Sequence, residues 1–243
     1  MKEVRYFYVP CASETNELPE EEAQHALRVL RLTVGDEIIL TDGQGFFHDA
    51  VITTADKKRC GYRIVATRAD EKYWSGHIHL AMAPTKNIER TEWLAEKATE
   101  IGFDELTFLR CQFSERTVVK TERIDRILVS AMKQSKKASK PVLNAMTDFK
   151  MFVNSVKATH KYICHCYDGE KPLLRTLLQP DSDAVVLIGP EGDFSIDEVR
   201  IAEAAGFQPV SLGTARLRTE TAALVAVHLM NIANYIQVPN HTL

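Results

Sequence analysis

Ala184-Val-Val-Leu-Ile-Gly-Pro-Glu-Gly192 is a continuous apolar, β-branched run that stops in a Gly-Pro-x-Gly turn. A run of this kind reads as a strand buried on both faces, the habit of a parallel sheet covered by helices. Ligands of open parallel sheets sit outside the carboxyl ends of the strands, and this strand ends in glycine. Glycine there lets a backbone approach a ligand closely, or takes positive φ in a turn. Pro209–Leu212 repeats the form, running straight into Gly213. Either turn alone has an ordinary structural reading.

Outward from this stretch the alternation of strand and helix continues. Strands are expected at 77–83, 106–110, 161–167, 184–189 and 209–212. Helices are expected up to Gly102, over 123–137, over 148–157, from the capping box Ser195-Ile-Asp-Glu198 to Gly206, and over 219–236. Such alternation means an α/β domain with a mostly parallel sheet. The first seventy residues differ. A strand at 5–9 and a helix over 19–32 precede strands at 37–41, 46–53 and 62–67, with Asp42–Gly45 as a hairpin turn. Short antiparallel strands with little room for crossovers suggest a small β-barrel. Two domains, 1–72 and 73–243, are expected, joined through the polar stretch 68–75.

The bulk figures exclude several classes. Of 243 residues, 45% are hydrophobic and 26% charged, which argues against disorder. The most apolar stretch, Ala222–Ile236, is broken by His228, Asn231 and Asn234, too short and too polar for a membrane span. MKEVRYFYVP carries no apolar run that could serve as a signal peptide. The expected setting is therefore cytoplasmic. The five cysteines are scattered, and Cys164-His165-Cys166 lies in an alternating run that sends the histidine away from the two thiols, so no metal is expected.

Net charge is −3, yet Arg110–Lys140 carries nine Lys/Arg against three acids, a local balance of +6. Phosphate contacts depend on such local potential rather than on the whole chain's charge. A solvated helix face reads the same way. The usual chemistries lack their parts: there is no GxGxxG at a helix start, no phosphate loop, no HExxH and no GxSxG.

At the level of ordered motifs, IGPEGDFSIDE (188–198) and LGTARLRTETA (212–222) resemble the two knot-forming loops of the 16S rRNA (uracil-N3)-methyltransferase family in the SPOUT superfamily. HALRVLRL (25–32), EKATEIG (96–102), SERTVVK (114–120) and QSKK (134–137) are similar to further family segments, in the same order. The resemblance implies a small PUA-like β-barrel followed by a SPOUT domain whose parallel sheet carries a deep C-terminal trefoil knot. It also implies a homodimer that binds S-adenosylmethionine and methylates N3 of a uridine in 16S rRNA, on the assembled small subunit. Carried over by position, Ile188, Gly189, Glu191 and Gly192 line one side of the cofactor site. Ser211, Leu212, Gly213, Leu217 and Arg218 line the other.

Two residues depart from the family pattern: Asp193 stands where another glycine is usual, and Lys133 where Glu commonly precedes Gln-Ser. Asp tolerates left-handed backbone better than most residues, so the turn is expected to survive. Lys133 is expected to join the basic patch. Methyl transfer to N3 needs loss of a weakly acidic proton, which a cation or a base assists. Arg218 is the candidate cation, and Glu220 the candidate for orienting it or taking the proton. An acid in a first helical turn is also favoured by the macrodipole alone. Arg5, Arg28, Arg31, Ser114 and Arg116 are candidate RNA contacts, Arg28 and Arg31 sharing a helix face by their spacing. The stripe Ala222, Val225, Ala226, Leu229, Ile232, Ala233 and Ile236 is either core or dimer seam. The alternatives are a noncatalytic RNA-binding or ribosome-assembly protein on the same fold, and an enzyme of free nucleotides.

Overall fold

A computed structural model describes residues 5–56 and 58–236. The chain forms two compact units. The first comprises residues up to Lys72 together with Val129–Lys140, and the second takes the rest.

In the first unit, strand β1 (Arg5–Tyr8) is followed by helix α1 (Glu20–Gln24), which loosens into a π-turn over His25–Val29. Strands β2 (Glu37–Thr41), β3 (Phe46–Ala55) and β4 (Cys60–Ala69) complete a four-stranded sheet in the order β1-β2-β3-β4. The last three strands pair antiparallel as expected. β1 and β2 pair parallel instead, because the helical segment between them returns the chain before β2 begins. Between β2 and β3 the Asp42 carboxylate accepts from the amides of Gln44 and Phe46, and Gly43 and Gly45 take positive φ. Apolar positions Phe7, Ala23, Ala26, Ile38, Leu40 and Ile52 close over one face as the core.

Two expectations fail here. Arg31 has left the helix, with φ 55°, so it shares no helical face with Arg28. Lys133 adds no free charge to a basic patch, because its ammonium pairs with Glu22. Val129–Lys140 joins this unit through backbone: Gly45 N donates to Ala138 O (3.0 Å), and Lys140 N to Gly43 O (2.9 Å). The Asp70 carboxylate accepts from Ala138 N at 2.7 Å.

The second unit is an all-parallel sheet between two helical layers. Its elements run β5 (His77–Met82), α2 (Ile88–Ile101), β6 (Glu105–Arg110), the start of α3 (Thr121–Gln134, which belongs to the first unit from Val129 on), β7 (Val142–Leu143), β8 (Thr147–Asp148), α4 (Phe149–Ser155), β9 (His160–Cys164), α5 (Leu174–Leu177), β10 (Asp183–Ile188), α6 (Ile196–Ala204), β11 (Gln208–Val210) and α7 (Thr219–Ala233). Strand order is β11-β9-β10-β5-β6-β7, with β8 also paired to β6. Successive side chains separate cleanly. Ile78, Leu80, Met82, Val186 and Ile188 face Leu94 and Ala98 of α2 and Ala223, Ala226 and Met230 of α7. Ala81, Val185 and Leu187 face Phe149 and Phe152 of α4 and Val199 and Ala202 of α6. Gly102 ends α2 at φ 112°, and the capping box at Ser195 and Glu198 forms in both directions. The buried face of α7 is Ala223, Ala226, Val227 and Met230, which leaves Ile232 of the anticipated stripe exposed.

The second face also holds a polar network. His79 Nε2 lies 2.8 Å from Thr107 Oγ1, and His77 Nε2 lies 2.9 Å from Glu105 Oε2. Asn144 donates to the other Glu105 oxygen at 2.6 Å. Burial holds the His79 imidazole down at about 4, against an opposing pull from Glu105. The hydrogen bond from His77 holds Glu105 down at about 2. His79 is thus neutral in the fold and protonates first in the unfolded chain. Its contribution is complete above about pH 6.5 and is lost as pH falls towards 4, a change of about 3 kcal/mol by linkage. Unfolding free energies measured by urea titration between these pH values are expected to fall less steeply in His79→Gln than in the unsubstituted protein. Parallel slopes would show that His79 is not the titrating group.

Candidate active site

The ends of β9, β10 and β11 stand side by side, and the turns beyond them wall a cavity of about 1040 Å³. All nine residues anticipated at the strand-end turns line it: Ile188, Gly189, Glu191, Gly192, Ser211, Leu212, Gly213, Leu217 and Arg218. The first helical turn of α7 closes one side with Thr219 and Ala222.

The two turns are built differently. At Gly189 a Cβ would stand 3.1 Å from the Phe194 amide nitrogen and ring, and at Gly192 it would stand 3.2 Å from the Phe113 side chain. Close packing therefore favours glycine at both. Gly213 has open space around it but sits at φ 133°, a conformation side chains rarely take. Its amide donates to Ser211 Oγ at 3.1 Å, and that hydroxyl in turn donates to the Gly213 carbonyl. Asp193 takes the left-handed conformation expected of it, at φ 68°. Its carboxylate caps the turn by accepting from Cys166 N at 2.7 Å and Phe194 N at 2.8 Å. The departure from glycine thus ties the β10 turn to the β9 turn.

Glu191 is used structurally as well. Its Oε1 accepts from Lys86 N at 2.8 Å, joining the β10 turn to the segment that leads into α2. Arg116 holds the same segment from the other side, donating to the carbonyls of Thr85 and Lys86 at 3.1 and 2.7 Å. Ser114 Oγ accepts from Cys111 N at 3.0 Å within its own loop. Arg116 and Ser114 therefore shape the site's surroundings. Arg28 and Arg31 are exposed in the first unit, where Arg5 lines a smaller cavity of about 490 Å³ with Glu22, His25 and Lys133.

Arg218, the N-cap residue of α7, is exposed on the cavity wall. Glu220 is buried, and its charged neighbour is Arg90 of α2, with Nε 3.7 Å from Oε1. Sequence reasoning missed Arg90, along with the β9 turn Cys164–Tyr167, Lys171 and Arg216, all of which line the same cavity. The strand-end rule that found the β10 and β11 turns applies equally to β9, whose turn has no glycine to mark it. Burial pushes the Cys164 thiol up to about 12, so it stays protonated and is no nucleophile. His165 is held below its usual value, chiefly by burial, and its Nδ1 is buried without a hydrogen-bond partner. Among the described residues no group of three or more His, Cys, Asp or Glu is placed to hold a metal ion.

Comparison with known proteins places this architecture. A family described as RNA methyltransferase domain matches residues 72–231, and one described as RNA methyltransferase PUA domain matches residues 18–60. The ribosomal RNA small subunit methyltransferase E of Synechocystis is 31% identical over 213 residues, 84% of this chain and 68% of that protein. A probable rRNA-methyltransferase from Porphyromonas gingivalis superposes with a TM-score of 0.91 at 44% identity, covering 95% of this chain and 98% of that one. The ribosomal RNA small subunit methyltransferase E from Neisseria gonorrhoeae, solved bound to S-adenosyl methionine, gives 0.82 at 28% identity over 95% and 98% of the two chains. Fold and site together define an RNA methyltransferase with an attached PUA domain. Within that class, the chain belongs to the family of ribosomal RNA small subunit methyltransferases E.

The Asp193 turn offers a direct check. Asp193→Ala leaves two amides without their acceptor and places a Cβ residue at positive φ with no local compensation, at a cost of about 2 kcal/mol. Asp193→Gly loses the same acceptors but relaxes the backbone, and is expected to be the less damaging of the two in urea denaturation. Equal losses would mean that the conformation carries no strain.

Proposed function

We propose that this chain transfers the methyl group of S-adenosylmethionine to N3 of a uridine in 16S rRNA, with the assembled small subunit as substrate. One observation carries the reading: nine residues named from two sequence motifs converge on a single cavity at the carboxyl ends of three parallel strands. The cavity suits the cofactor. Its walls combine the glycine turns and apolar Ile188, Leu212 and Leu217, which suit an adenine, with open space beside Gly213. Lys171, Arg216 and Arg218 supply positive charge for the carboxylate of the cofactor or for RNA phosphate. When bound, S-adenosylmethionine supplies an electrophilic methyl group.

The chain's own residues have the remaining tasks. The three turns hold the reactants in line, which accounts for much of the acceleration available to such a reaction. Arg218 faces the acceptor base as a cation that favours the N3 anion, with Glu220 close behind the wall. Arg5, Arg28 and Arg31 of the first unit contact the rRNA, the last two lying within the PUA domain match. The family resemblance supports a closed barrel for that unit, a deep trefoil knot made by the β10 and β11 turns, and a cytoplasmic homodimer. Exposed Ile232 on α7 gives the dimer an apolar seam.

A noncatalytic RNA-binding role on the same fold predicts no cofactor affinity, which isothermal titration with S-adenosylmethionine measures directly. The reaction itself is tested with labelled cofactor and undermethylated small subunits, followed by digestion of the RNA to nucleosides. Label is expected in 3-methyluridine, and label in any other nucleoside refutes the assignment. Arg218→Ala is expected to lose about 100-fold or more in methyl transfer while staying folded by circular dichroism. Wild-type rates would make the residue dispensable.

A further inference from the structure

Glu220 is an acid with an unusual setting. Its side chain is only 9% exposed, and its Oε2 is buried without a hydrogen-bond partner. Its Oε1 lies 3.7 Å from Nε of Arg90. Arg90 sits on another element, in the first turn of α2, and lines the same cavity as the glycine turns. A cation in the first turn of a helix faces the positive end of the macrodipole, an unfavourable place unless an anion compensates. Glu220 is that anion.

The backbone that carries Arg90 is fixed with equal care. Arg116 donates to the carbonyls of Thr85 and Lys86, Glu191 accepts from Lys86 N, and the Asn87 side chain accepts from Glu89 N to cap the helix. Thr91, one residue beyond Arg90, accepts through its hydroxyl from Thr85 N at 3.0 Å. The backbone that carries Arg90 is therefore anchored, and its guanidinium, on a side chain 40% exposed, lies beside the buried Glu220 carboxylate. Arg216 lies on the turn and Arg218 at its end as the N-cap of α7, whereas Arg90 sits within a helix and faces a buried acid. A fixed charge aimed at a reacting centre needs no reorganisation when charge develops there.

We propose that Arg90 is a second cation of the methyl-transfer site, contacting a carbonyl oxygen of the acceptor uracil, and that Glu220 is a positioning residue acting through it. The inference rests on the uridine-N3 reading above. In that reaction the N3–H bond breaks, its electron pair forms the N3–CH₃ bond, and the proton passes to solvent. The sulfonium–methyl bond breaks with its electron pair kept on sulfur, leaving a neutral thioether. The negative charge that appears on loss of the proton spreads over O2 and O4, on either side of N3. Two cations, Arg218 and Arg90, match two oxygens.

The experiment compares Arg90→Ala, Arg90→Lys and Glu220→Gln with the unsubstituted full-length protein. It uses undermethylated small subunits and labelled S-adenosylmethionine, with cofactor affinity from isothermal titration and folding from circular dichroism. Arg90→Ala is expected to bind the cofactor within about twofold of the parent and to lose about 100-fold in kcat. Its single-turnover rate is expected to keep rising at pH values where the parent has levelled off, because the unassisted N3–H ionises later. Arg90→Lys restores much of the lost rate and moves the profile back. Glu220→Gln shows a smaller shift in the same direction.

An unshifted pH profile in Arg90→Ala overturns the proposal, as does an unchanged kcat. Cofactor affinity weakened tenfold or more at unchanged kcat overturns it too, and assigns Arg90 to the cofactor's carboxylate. If Arg90→Ala does not fold, Arg90→Lys and Glu220→Gln decide by the same pH profile. Failure of the uridine-N3 reading is distinguishable, because it appears in the unsubstituted protein as label outside 3-methyluridine.

Discussion

The register of β10 between its two neighbours is the constraint on which the ligand-bearing end depends. Ile188 pairs with Met82 of β5 on one side and Cys164 of β9 on the other, and Cys164 pairs with Val210 of β11. Four strands therefore end level, and the segments that follow them emerge at one height. A slip of one residue would move a turn by about 3.3 Å and would also exchange the two faces of the strand. Those faces are committed: Val186 and Ile188 belong to the core under α2 and α7, Val185 and Leu187 to the core under α4 and α6. Burial on both sides is thus what fixes the shape of the cavity, far more than any contact within it.

Given level strand ends, the turns are joined to one another by carboxylates spent on backbone amides. Asp193 ties the β10 turn to Cys166, and Glu191 ties it to Lys86. Hydrogen bonds to a charged acceptor are about twice as strong as neutral ones. They suit a site walled by turns, since a turn that shifts moves several lining residues at once. The same logic gives Arg116 its place, with two of its guanidinium N–H groups donated to backbone carbonyls. Glu191 and Arg116, read from the sequence as cofactor and RNA contacts, also brace the site, together with Asp193.

Much of this was legible beforehand because periodicity reports burial directly. The order of the long strands and helices, the capping box at Ser195 and the stop at Gly102 all follow from local rules that the structure obeys. The clustering of the β10 and β11 turns on one cavity was legible through ordered motifs together with the strand-end rule. What escaped has a common physical origin: it depends on neighbours remote in sequence. The parallel β1–β2 pair, the attachment of Val129–Lys140 to the first unit and the partnership of Glu220 with Arg90 all join distant segments. Strands β7 and β8, of two residues each, are too short to carry a period. The loosened turn over His25–Val29 and the left-handed Arg31 leave no mark that distinguishes them from a continuing helix.

Counting charges along the chain misled for the same reason. Of the nine cations between Arg110 and Lys140, Lys133 pairs with Glu22, Arg123 with Glu92, and Arg116 with carbonyls, while Lys137 is buried and Lys140 lies over the Tyr8 ring. The run is therefore no continuous phosphate-binding stripe, and a chain of net charge −3 has no general excess to replace it. Nonspecific attraction to RNA scales with the number of phosphates neutralised. Exposed cations such as Arg28, Arg31, Arg216 and Arg218 lie outside this run, so selectivity is expected to rest on the shape of a folded RNA and a presented base rather than on one basic stripe. The role proposed for Arg90 accordingly rests on its pairing with buried Glu220 at the cavity wall, and owes nothing to the density of charge along the chain.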